Sequence, residues 1–207
     1  LFSYYVIWCV QPGSARLDKV SSMKGLDHRF CSNSYEWDSL MEFRLTYEGP
    51  LRPSNKGRKN GAQEQMKEHK HHIRQALHKQ LAQLWHDHPN LMDWSEDATI
   101  NGRSMSERLG DDYASFGFRW SPLVVEKMFV LCAIDILMLR RDAPGNLIQS
   151  SDIDNRLKTL FDALKRPRNK QELPDAAVAT THQNPFFVLL EDDGLISKVS
   201  VETDRLL

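Results

Sequence analysis

At 207 residues and a formal net charge of −1, the chain has room for one domain with a sizeable core and no overall pull towards polyanions. Apolar content of 41% and charged content of 27% exclude a disordered tail, and no apolar run nears the roughly 18 residues of a membrane span. Three widely spaced cysteines (Cys9, Cys31, Cys132) without a CxxC pair suit a reduced, cytoplasmic protein and exclude a disulfide scaffold.

LFSYYVIWCV (1–10) has no basic flank before its apolar stretch and makes a poor signal peptide. Residues 11–40 show no periodicity. Met41 reads as the natural start, so residues 1–40 are taken as an upstream extension, disordered or non-native. MEFRLTYEG (41–49) then alternates strictly and predicts a half-buried strand. GPLRPSN (49–55) is a loop.

Met66, Ile73, Leu77, Leu81, Leu84 and Trp85 step by sevens, fours and threes, predicting a helix over 61–86 that ends at HDHPN. Its other face carries Lys67, Lys70, Arg74, His69, His71, His72 and His78. These histidines lack the spacing of a zinc motif and read as exposed. Residues 51–80 hold eight Lys or Arg against two acids, whereas 86–115 hold seven acids against two bases. A solvated helix face accounts for such a patch, as does a polyanion docked on one side.

The acidic stretch 91–125 reads as an irregular insertion whose aromatics, Trp94 and those at 113–120, pin it to the core or stack on unpaired bases. MFVLCAIDILML (128–139) predicts a central strand with Cys132 in the core. Asp135 within it needs a salt bridge at the strand end or a place at an active-site edge. SDIDNRLKTLFDALK (151–165) predicts an amphipathic helix. FFVLL, EDDG and LISKVSVET (186–203) predict two strands joined by an Asp-Gly hairpin turn. The whole reads as a small single α/β domain with a mixed sheet and two main helices.

The start of the 151–165 helix has two readings. Ser151 and Asp154 have the spacing of a capping box, and Asp154 with Lys158 that of an i,i+4 ion pair; only Asn155 then lacks a structural role. Alternatively, Asp152 and Asp154 converge if the chain there is extended, and converging carboxylates call for a hard cation such as Mg²⁺ or Mn²⁺.

The pattern D-x-D-N-x-x-K at Asp152, Asp154, Asn155 and Lys158, followed by an apolar strand and Asp192-Asp193, resembles the RusA family of Holliday junction resolvases. MEFRLTYEGPLRPSN (41–55) is similar to that family's amino-terminal strand and loop. The resemblance covers 41–55, 151–165 and 189–201. It implies a RusA-like domain at 41–207 with insertions at about 86–126 and 166–188, acting as a homodimeric, Mg²⁺-dependent endonuclease, with Mn²⁺ as substitute, on four-way junctions or other branched DNA. By it, Asp152, Asp154 and Asp193 hold the metal, Asp192 supports them, Asn155 assists, and Lys158 steadies the scissile phosphate. Phosphate contacts are expected from Arg52, Lys56, Arg58, Lys59, Lys70, Arg74, Arg166 and Arg168. Two other outcomes stay open: a branched-DNA-binding protein of the same fold that does not cut, and an interaction protein whose acids are only caps and turns. Basic residues do not directly precede Asp152 here as they do in that family, which leaves substrate choice open.

Overall fold

The computed structural model describes residues 3–12, 41–54, 60–88, 91, 103–140 and 153–205. It is mixed α/β. A four-stranded sheet has the order β2-β1-β5-β7, from β1 (Ser3–Pro12), β2 (Met41–Glu48), β5 (Val130–Arg140) and β7 (Ile196–Arg205). β1 runs antiparallel to both β2 and β5, and β5 runs parallel to β7. Ser3–Pro12, which sequence assigns to an upstream extension, is thus an inner strand; residues 13–40 lie outside the described residues. A second sheet, β3-β4-β6, joins β3 (Ala114–Ser115), β4 (Phe118–Val124) and β6 (Phe186–Leu190).

Three helices are described: α1 (Asn60–Asp87), α2 (Met105–Asp112) and α3 (Ile153–Leu164). α1 places Ile73, Leu77, Leu81 and Trp85 against Leu45 and Tyr47 of β2, Ile134 and Ile136 of β5, and Leu160 and Leu164 of α3 in one buried cluster. Residues 71, 74, 78 and 85 form a second stripe at helical spacing. His71 and His78 in it meet the aromatic cluster of the second sheet, Phe118, Trp120 and Phe186. α1 is therefore covered on two sides. Gln80 closes the outer edge of β2, donating to Thr46 O at 2.7 Å and accepting from Thr46 N at 2.9 Å, where a neighbouring strand would otherwise pair.

Three expectations change. The 91–125 stretch is not irregular throughout: Ser104 and Glu107 form a reciprocal capping box at the start of α2, and β4 is buried along nearly its whole length. In the tip between β3 and β4, Phe116 and Gly117 both adopt positive φ, the geometry of a two-residue hairpin turn. The second change is at 191–195, where no hairpin forms. β6 pairs in parallel with β4, and β7 pairs in parallel with β5. The Asp192 side chain accepts from Gly194 N at 2.9 Å, and a single 3₁₀ turn carries the chain from one sheet to the other.

The third change concerns polarity. His69, His71 and His78 are buried; His72 alone of the four is exposed. His78 Nδ1 accepts from Phe187 N at 2.9 Å, which leaves Nε2–H to donate to His182 O at 3.1 Å, so both ring nitrogens are satisfied in the neutral form.

Candidate functional site

The helix that opens the acidic motif is positioned from three sides. Its apolar positions Leu160, Ala163 and Leu164 enter the main core. Ser54 N donates to Asn155 O at 3.0 Å, and the Arg156 guanidinium donates to Leu51 O, so the 49–54 loop lies along the first turn of α3. At the other end, Arg74 is 1% exposed and donates to Asp162 O at 2.8 Å and Lys165 O at 3.3 Å, taking up carbonyls that the helix itself leaves unpaired.

At the first turn, Asp154 and Lys158 are exposed and Asn155 is half-buried, and none of the three side chains has a hydrogen-bond or ion-pair partner among the described residues. The expected Asp154–Lys158 ion pair is not formed. Asp152 and Ser151 lie outside the described residues, so the convergence of Asp152 on Asp154 and the capping box do too.

Asp192 and Asp193 are at the opposite end. Asp193 Oδ2 is 3.0 Å from the Nζ of Lys165, the first residue past α3, and Lys165 also faces Asp162 at 3.8 Å. Asp192 Oδ2 accepts from Arg168 Nε at 2.6 Å. Burial raises the Asp192 carboxyl, but the hydrogen bonds from Arg168 and the Gly194 amide outweigh it and hold it below the usual carboxylate range. Lys165 is eleven positions beyond Asp154, about 16 Å of helical rise. No cluster of three His, Cys, Asp or Glu able to hold a metal occurs among the described residues, and Asp152, the third acid of the expected set, lies outside them. Asp154, uncommitted, fits a cation. Asp192 and Asp193 do not fit one without giving up their basic partners.

The expected phosphate contacts divide. Arg52 is exposed, and its guanidinium has no hydrogen-bond or ion-pair partner among the described residues. Lys56, Arg58 and Lys59 lie outside the described residues. Lys70 is bound to Asp162 at 2.6 Å. Arg74 is fully buried and has no surface to offer a phosphate; its guanidinium, held down to about 10 by burial, lies 5.8 Å above the Trp120 ring. Arg166 stacks 4.9 Å over Tyr113 and faces Glu191 at 3.6 Å. Arg168 is exposed but held by Asp192. Asp135 faces Lys198 at 3.4 Å with its side chain 45% exposed, so it is an ion pair on the sheet surface rather than a buried acid.

Sequence reasoning passes over His69. Its Nε2 accepts from Arg52 N at 3.2 Å, which fixes the loop that presents Arg52. Burial, then the nearby Arg52 charge, push its imidazole down to about 4, so it is neutral in that role. The signal available was its position one helical turn before Ile73, on the side of α1 that carries the core stripe. Comparison of the chain with protein-family models, curated proteins and solved structures finds no match.

Proposed function

We propose that the protein is a Mg²⁺-dependent endonuclease acting on four-way junctions or other branched DNA, similar to the RusA family, as a homodimer. The observation that carries this reading is the uncommitted set Asp154, Asn155 and Lys158. These are the three positions of the motif that are described, and the ion pair that would give two of them a structural role is not made. Mg²⁺ commonly needs only one or two carboxylates, taking its remaining ligands from water and substrate phosphate. Asp154 with the adjacent Asp152 meets that requirement without Asp192 or Asp193.

When bound, the ion supplies Lewis acidity and a more acidic bound water. The chain supplies the rest. Asp154 offers an ionised carboxylate at the start of α3. Lys158, one turn on, places an ammonium beside the same face, where it balances charge on the scissile phosphate. Asn155 offers an amide donor to a phosphate oxygen.

The test is cleavage of a labelled four-way junction by the full chain in Mg²⁺. Paired nicks near the branch, absent on linear duplex and reduced at least about 100-fold in Asp154→Asn and Lys158→Ala, support the assignment. The basic partners that hold Asp192 and Asp193 favour a second reading, a branched-DNA-binding protein that does not cut. Tight junction binding without nicks in Mg²⁺ or Mn²⁺ would select it.

A further inference from the structure

A cavity of about 550 Å³ opens between the end of β2, the 49–54 loop and the first turns of α1. Its floor is the loop whose far side is hydrogen-bonded to α3 beside Asp154. The floor is built to stay in place. The Tyr47 hydroxyl donates to Pro50 O at 3.3 Å, and a Cβ on Gly49 would stand 2.7 Å from that hydroxyl oxygen, so any larger residue there must displace the Tyr47 ring end. His69 holds the next peptide through Arg52 N.

The walls are polar and uncommitted. Arg52, Glu48, Gln65, Glu68 and His72 line the cavity, all are exposed, and none of these side chains has a hydrogen-bond or ion-pair partner among the described residues. Among the described residues one guanidinium stands against two carboxylates, so the lining carries both signs. Arg52 with Glu48 and Glu68 sets donors beside acceptors, a combination that neither a bare phosphate nor a simple cation uses in full. Metal binding has no support, since no three-ligand group forms among the described residues. What the lining matches is a neutral, flat group with donors and acceptors on adjoining edges, which is the description of a nucleobase. The volume lies in the range of pockets that hold a small ligand.

We infer that this cavity receives an unpaired nucleobase of the DNA substrate, read by Arg52 as donor and by Glu68 or Glu48 as acceptor. Guanine complements this set best. It presents two acceptors to an arginine fork and an N–H edge to a carboxylate. The inference rests on the proposed nuclease reading for its substrate, and it deepens that reading. The backbone of an everted base seated here continues over the loop towards the first turn of α3, so the pocket selects branch points, where bases are already unstacked and cost least to evert.

The test is metal-free titration of the full chain with dGMP, dAMP, dCMP and dTMP, followed by NMR, with inorganic phosphate as competitor. Saturable dGMP binding, weakened at least tenfold in both Glu68→Gln and Arg52→Ala and not competed by equimolar phosphate, is the expected result. Nucleotide binding that phosphate displaces, or that both variants retain, overturns the assignment, as does no binding by any nucleotide. Unchanged melting of Glu68→Gln, a near-isosteric change at an exposed site, shows that lost binding is not lost folding. Junction cleavage in Mg²⁺, measured separately, distinguishes the two readings. Cleavage without nucleotide binding removes the pocket alone, and nucleotide binding without cleavage removes the nuclease alone.

Discussion

The carboxylate of Asp193 lies 3.0 Å from the ammonium of Lys165, just past the last turn of α3, whereas Asp154 occupies that helix's first turn. Asp193 thus has an ion-pair partner, which Asp154 lacks among the described residues. Asp193→Asn is expected to leave junction cleavage within a few-fold of wild type and to lower stability by about 1 kcal/mol, because the largely buried Lys165 keeps only its longer contact to Asp162. Asp154→Asn should do the reverse. Parallel cleavage assays and thermal melts decide it; loss of cleavage in Asp193→Asn with an unchanged melt would return Asp193 to the catalytic centre.

Arg74 is expected to behave as a core residue. Truncation to Ala removes both hydrogen bonds to the carbonyls of Asp162 and Lys165 and the contact with Trp120, at a cost of about 3–5 kcal/mol. Lys70→Ala, which removes a partly buried ion pair with Asp162 and strands no fully buried charge, should cost less, about 1 kcal/mol. Chemical denaturation compares the two. The salt dependence of DNA binding by the Lys70 variant then reports whether its ammonium reaches a phosphate.

Stability should fall on mild acidification. His69 and His71 are held down to about 4, chiefly by burial, with the charges of Arg52 and Arg74 adding to it; His78 is lowered as well, again by burial first. In the unfolded chain each returns to about 6.5, so between these values the unfolded state binds the extra protons. The contribution is full above about pH 6.5, declines as pH drops towards 4, and changes little below that. It amounts to at most on the order of 3 kcal/mol for each of His69 and His71. His71 Nδ1 is buried without a partner between Phe118 and Phe186, so His71→Phe should flatten part of the slope and hold stability at pH 7. Melts from pH 7.5 to 4.5 measure both.

Phe129 sits at φ 56° with 58% of its surface exposed, in a left-handed conformation that bulky side chains rarely adopt. Phe129→Asn should stabilise the fold by about 1 kcal/mol, read as a rise of roughly 2–4 °C in Tm. A fall in Tm would mean that the ring makes contacts worth more than the strain.

Where one face of an element is apolar and the other polar, its place was legible in the sequence. β2, the main stripe of α1, and α3 lie within a few residues of the expected spans; so does β5, but its apolar run implied cover on both faces, whereas only alternate residues from Val130 to Met138, Cys132 among them, are buried. What escaped is what polarity disguises. His71, Arg74 and His78 read as a solvated face because charge and imidazole were equated with exposure; the second sheet that covers them comes from segments over 60 residues away in pairing, which no local periodicity announces. Asp192-Asp193-Gly194 carried a hairpin signal that its neighbours overrode, since β6 and β7 each find a parallel partner elsewhere. The first turn of α3 was readable as chemistry or capping, and the Asp154–Lys158 pair that capping would add is not formed; that Lys165 takes Asp193 as its partner depends on where β6 ends, which the motif does not encode.

Each sheet owes one of its pairings to the final stretch of the chain. Trp120 waits for Phe186, and Ile134 waits for Val199, loops of about 65 residues in both cases. During synthesis, α1 and β2 emerge early with their apolar faces formed and nothing yet to cover the Arg74 side. Closing such long loops is entropically slow, so folding should be limited by the arrival and docking of β6 and β7 together rather than by the helices. The nascent chain would pass a period with an open β5 edge exposed to other strands, and in the cell it should depend on low crowding of its own copies, or on a chaperone, until residue 205 is free of the ribosome.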